Sequence, residues 1–151
     1  MSGAAREDVY ELARLVKNLM IEEGMEQEAL RVINSIIVEF PRDVLFPISK
    51  AELYLYYLGD LQEALSCINM AVERAYRAGS SRRMALGVKA RILLRMERWG
   101  QLSEVLEAIM SLQNSREHPD IGRERDFVDG APPGVLPNTL LARYNEYCSV
   151  R

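Results

Sequence analysis

The chain has 151 residues, of which 48% are hydrophobic and 27% charged, and its net charge is −3. This is the composition of a soluble globular domain with a sizeable core, and no run approaches the roughly 18 apolar residues of a membrane span. No secretory signal is predicted, and Cys67 and Cys148 lie in no metal or redox motif, so we expect reduced thiols in a cytoplasmic protein. Cys67 is expected in the core and Cys148 nearer the surface.

The first predicted helix covers residues 6–23, where apolar side chains recur at three- and four-residue spacing and form one stripe. Gly24 ends this helix, because glycine accepts the left-handed conformation that closes helices. The second predicted helix covers residues 27–40, and Pro41 stops it. Several β-branched residues around Ile36 would also allow a short strand, but the helical period argues against one.

A second pair of helices follows the same plan. Pro47 fits the first turn of a helix that reaches Leu58, and Gly59-Asp60 forms the next turn. The partner helix is predicted over residues 61–78.

A third, less regular pair is predicted after the candidate N-caps Ser80 and Ser81. Its helices cover residues 82–96 and 101–114, with the turn at Trp99 and its neighbouring glycine.

The pattern changes after the third pair. Residues 115–137 are rich in turn signals, although a short helix over 121–128 is conceivable. The last predicted helix covers 139–150, and we assign it to covering the exposed end of the helical stack.

Two segments 35 residues apart are near-copies: Gly24–Leu30 and Gly59–Leu65. A fixed period of this size is typical of repeat architectures. The turn glycines and the following alanines, Ala29 and Ala64, resemble the tetratricopeptide repeat (TPR) family, in which a small residue lets two helices cross closely. The third unit departs from the family pattern, since Leu102 stands where the alanine belongs.

The resemblance implies an all-α, right-handed α-α superhelix of about three TPR-like helix pairs with a C-terminal capping helix. The repeat array would occupy residues 1–114, in units of about 6–41, 45–78 and 80–114. Residues 115–151 would form a loop and the capping helix of the same domain.

In TPR proteins the first helices of the pairs line a concave groove that binds a partner segment. Carried over from the turn glycines, the resemblance assigns this role to Arg14, Asn18, Lys50, Leu53, Tyr56, Tyr57, Arg91 and Arg95. Some family members clamp a terminal carboxylate with a basic residue and an asparagine one turn later, the spacing of Arg14 and Asn18. The positions that would complete such a clamp are Lys50, Met84 and Val88, of which only Lys50 is polar.

The charge distribution adds one observation about the partner. Eight of the 19 basic side chains fall within residues 74–98, against the single acidic Glu97. Arginine binds carboxylates bidentately, so an acidic peptide or protein segment would suit the groove.

We therefore predict a non-catalytic adaptor or chaperone-like module, in the manner of the small TPR-like secretion chaperones of bacteria. No phosphate loop, nucleophile elbow or metal motif is present, and His118, the one histidine, has no catalytic neighbour in the sequence, so neither an enzyme nor a cofactor is predicted. The alternative is a homodimer that pairs through apolar faces at Trp99 and the last helix. Weak RNA binding through residues 74–98 is a third reading, which the overall acidity disfavours.

Overall fold

A computed structural model describes residues 3–112 and 129–149. Its helices, in chain order, are α1 (Gly3–Ile21), α2 (Glu26–Glu39), α3 (Leu45–Leu53), α4 (Leu61–Ala78), α5 (Arg82–Arg95), α6 (Trp99–Met110) and α7 (Asn138–Ser149). A π-helical turn, Tyr54–Leu58, continues α3. The described residues contain no strand, which confirms the all-α class and rules out a strand around Ile36. The short helix predicted over 121–128 and His118 lie outside the described residues.

The helices pack in the order in which they occur. Each helix from α1 to α6 contacts the next one, α3 also contacts α5, and α7 packs against α6. The helices therefore form three antiparallel pairs, α1/α2, α3/α4 and α5/α6, and a short turn joins the two helices of each pair. None of the described helices has the combination of length and apolarity needed to cross a bilayer.

The ends of α4 explain why this helix begins and stops where it does. The Asp60 carboxylate accepts a hydrogen bond from the backbone N–H of Glu63 at 3.0 Å and so caps the first turn. At the other end Gly79 takes a left-handed conformation with φ of 67°, and its N–H donates to the Ala75 carbonyl.

The turn between α5 and α6 differs from the prediction. Trp99 is the first residue of α6, and the left-handed position belongs to Glu97, with φ of 56°. The Arg98 N–H donates to the Leu93 carbonyl and the Glu97 N–H to that of Leu94, which closes α5 before the glycine is reached.

The core has two parts, and α3 contributes to both. Phe46 and Leu53 pack with the buried side chains of α1 and α2. Ile48, Ala51 and Leu55 pack into the larger cluster formed by α4 to α7. A helix that is apolar on nearly every side is buried between neighbours, and α3 occupies that position.

α7 is held to the stack by apolar and polar contacts. Tyr144 and Cys148 are buried in the larger core cluster, so the expectation of a more exposed Cys148 is wrong. Arg143 Nη1 donates to Glu107 Oε1 of α6 at 2.9 Å. The buried Arg83 of α5 lies 5.1 Å from the centre of the Tyr147 ring.

Candidate partner-binding surface on α3 and α5

The C-terminal ends of α3 and α5 are joined by one arginine. Arg95 Nη1 donates to the Leu55 carbonyl oxygen at 3.1 Å, and its guanidinium lies 5.2 Å from the centre of the Tyr56 ring. This distance is within the range of a cation–π contact. The exposed sides of the two helices therefore adjoin at Tyr56 and Arg95.

The π-helical turn makes the Leu55 carbonyl available to this arginine. The N–H groups of Gly59 and Asp60 both donate to the Tyr54 carbonyl. In a regular α-helix the Gly59 N–H would donate to Leu55 instead. In the π turn the Gly59 N–H donates to the Tyr54 carbonyl, one residue earlier. Arg95 donates to the Leu55 carbonyl in its place.

Large apolar side chains are exposed along the same two helices. Leu45 and Tyr56 of α3 expose 49% and 43% of their surface, and Met84 of α5 exposes 54%. Leu45 and Met84 lie in the first turns of α3 and α5, and Tyr56 and Arg95 lie at the C-terminal ends of the two segments. We call the surface formed by Leu45, Tyr56, Met84, Arg91 and Arg95 the α3–α5 face.

Not all the predicted groove residues of α3 lie on this surface. Leu53 has no exposed surface, because it packs into the cluster of α1 and α2, and it is unavailable to a partner. Tyr57 is exposed two residues before the turn glycine, Gly59. Lys50 is half-buried and lies close enough to Cys67 of α4 for its charge to act on that thiol.

The α1 candidates are on the surface, but a complete carboxylate clamp does not assemble around them. Arg14 and Asn18 are exposed and lie one turn apart on α1. Of the completing positions, Val88 is buried in the core, Met84 is apolar, and Lys50 is half-buried.

The two cysteines are buried thiols. Burial raises the pKa of the Cys67 thiol, and the nearby Lys50 charge opposes that rise only in part. A thiol held protonated at neutral pH is a poor nucleophile. Among the residues that the structure describes, no group of three or more His, Cys, Asp or Glu side chains is placed to hold a metal ion.

A second surface feature was missed by the sequence analysis. A groove of about 320 Å³ lies between α4 and α6, with Leu86 and Lys89 of α5 at its floor. Its one sequence signal is Lys89, which interrupts the buried stripe of α5 between Leu86 and Leu93. The sequence does not indicate that two other helices leave space above this lysine.

Comparisons with protein-family models, with curated proteins and with solved structures return no match for this chain.

Proposed function

We propose that this chain is a non-catalytic, TPR-like interaction module that binds a segment of another protein along the α3–α5 face. The observation that carries the proposal is the exposure of Leu45, Tyr56 and Met84 on two adjoining helices. Isolated exposed apolar residues need no explanation, but several on one surface are typical of protein-binding sites.

The chemistry of this surface suits a protein partner. Tyrosine and arginine dominate the binding energy of many interfaces, since each combines a large flat contact area with polar atoms. Tyr56 lies beneath the Arg95 guanidinium, which limits its motion before a partner arrives. Preorganised side chains lose less entropy on binding.

An acidic segment is the partner we favour. Arg91 and Arg95 lie on successive turns of α5, and Arg95 contacts Tyr56. A guanidinium has several N–H donors, and the Leu55 carbonyl takes only one from Arg95. A carboxylate could therefore be bound without breaking the contact between α5 and α3.

The homodimer alternative has less support on the surfaces first considered for it. Trp99 is half-buried against the larger core cluster, and Leu140, Tyr144 and Cys148 of α7 are buried in that cluster. These apolar groups are covered within one chain, which leaves little apolar area there for a second copy.

RNA binding is disfavoured by the scattered positions of the basic side chains. Arg83 is buried, Arg74 donates to the Phe40 and Asp43 carbonyls, and Arg77 pairs with Glu73. These three arginines are engaged within the chain, which leaves less positive charge for phosphate groups.

The test is an affinity capture with matched surface variants. The double variant Tyr56→Glu/Met84→Glu places two charges on the α3–α5 face and leaves Arg95 intact. The control is Val38→Glu on α2, since Val38 is the most exposed of the large apolar side chains that the structure describes, at 82%. We expect a partner captured by the wild type and by the control to be lost from the double variant, with all three equally folded by circular dichroism. Equal capture by all three proteins would refute this site.

A further inference from the structure

The α4–α6 groove lies on the opposite side of α5 from the α3–α5 face. Lys89 at its floor and Arg91 on the α3–α5 face are two residues apart, which turns their side chains about 200° from each other around the helix. A ligand in this groove would therefore contact none of the side chains proposed above.

Lys89 is the unusual residue of this groove. It is half-buried on the side of α5 that carries the buried Leu86 and Leu93. Within the described part of the chain it forms no ion pair and no hydrogen bond. Its stem lies along apolar surface while the ammonium reaches solvent at the groove. A carboxylate from outside could pair with this ammonium.

The walls of the groove combine apolar and amide side chains. Val72 of α4 and Val105 of α6 offer apolar surface, while Asn69 and Gln101 place one amide on each wall. An amide side chain both donates and accepts hydrogen bonds, as a peptide backbone does. These walls suit a peptide whose side chains contact the valines and whose backbone contacts the amides.

The amide side chains of the walls favour an extended peptide. A helix satisfies its own backbone hydrogen bonds, whereas an extended peptide leaves N–H and C=O groups that Asn69 and Gln101 can pair with. Glu104 on the α6 wall would repel a second carboxylate, so one acidic position opposite Lys89 is favoured.

We propose that the α4–α6 groove is a second binding site, which takes an extended segment of another protein with one acidic side chain between apolar ones. The carboxylate pairs with the Lys89 ammonium, and the flanking apolar side chains contact Val72 and Val105. The proposal stands independently of the α3–α5 face.

The probe is a set of three capped hexapeptide libraries, labelled for fluorescence anisotropy. Each library fixes two apolar positions and places glutamate, glutamine or lysine between them. We expect wild-type protein to bind the glutamate library at least about tenfold more tightly than the glutamine library, a difference within the range of one charge-assisted hydrogen bond. The Tyr56→Glu/Met84→Glu variant should bind as the wild type does, because its changes lie on the other face.

Reversal of the charge gives a result that misfolding cannot imitate. Lys89→Glu should lose the preference for the glutamate library and gain binding to the lysine library, and Lys89→Gln should abolish both preferences. Equal binding of the three libraries by the wild type, or a preference unchanged in Lys89→Glu, would overturn the proposal. Sedimentation of the wild type as a dimer and of Lys89→Glu as a monomer would also overturn the proposal, because the groove would then bind a second copy of this chain.

Discussion

Arg95 of α5 donates a 3.1 Å hydrogen bond to the Leu55 carbonyl of α3, across the contact between two helix pairs. The π-helical turn has removed the donor that this carbonyl would have in a regular helix. Arg95 is therefore a structural residue as well as a candidate binding residue. A charge reversal at Arg95 would disturb both roles, so the binding test above leaves Arg95 unchanged.

Arg95→Ala should lower the free energy of unfolding by about 1 kcal/mol, because it leaves the Leu55 carbonyl without its donor. Urea denaturation measures this change. Arg98→Ala removes a neighbouring positive charge whose side chain forms no hydrogen bond or ion pair within the described part of the chain, and its stability should be near that of the wild type. Equal effects of the two substitutions would mean that the hydrogen bond contributes nothing beyond the charge.

Ala64→Arg should destabilise the protein by about 1–3 kcal/mol or more, since it overpacks a helix crossing. Ala64 is fully buried in the larger core cluster, and α4 packs against both α3 and α5. Ser66→Arg introduces the same side chain on the exposed side of α4 and is the matched control. If Ala64→Arg and Ser66→Arg have the same thermal unfolding midpoint, Ala64 does not lie at a close helix contact.

Asp60→Ala removes the cap of α4 and should cost about 0.5–2 kcal/mol. The effect follows because the Glu63 N–H, which donates to Asp60 Oδ1 at 3.0 Å, loses its acceptor. Asp60→Asn keeps an acceptor and should recover most of the stability in urea denaturation. If Asn fails to rescue, the role of Asp60 is its charge and not the cap.

Alkaline pH should destabilise the fold partly through Cys67. Burial is the largest cause of the raised pKa of this thiol, whose ordinary value is 9.0. Above about pH 9 the unfolded chain releases the thiol proton while the folded chain retains it, so the free energy of unfolding falls as pH rises. We expect a smaller loss between pH 7.5 and pH 9.5 for Cys67→Ala than for the wild type. The same slope in both proteins would contradict the assigned burial.

The bounds of α4 illustrate what could be predicted from the sequence. Residues 61–78 were predicted, and the helix spans Leu61–Ala78. Both ends depend on local chemistry, the Asp60 cap and the Gly79 left-handed turn, which are visible in the residue types alone. The α5–α6 turn was misplaced because a glutamate, not a glycine, takes the left-handed position there.

The binding surfaces were harder to predict because they depend on how helices pack. Leu53 was assigned to the groove from its distance to the turn glycine, but α3 has core contacts on two sides and buries it. The tyrosines at the end of α3 and the arginines of α5 could be named from their positions. The pairing of Arg95 with Leu55 could not, since the π turn that frees the carbonyl has no signature in the sequence.

The place of α3 in two core clusters also determines how the molecule should come apart. If α1 and α2 open while the other helices stay folded, Phe46 and Leu53 lose their apolar neighbours and face water. Such a partly open state would expose an apolar, aggregation-prone surface on α3 while α4 to α7 remain folded. The N-terminal helix pair thus covers apolar side chains of α3, and amide hydrogen exchange should find lower protection in α1 and α2 than in α4.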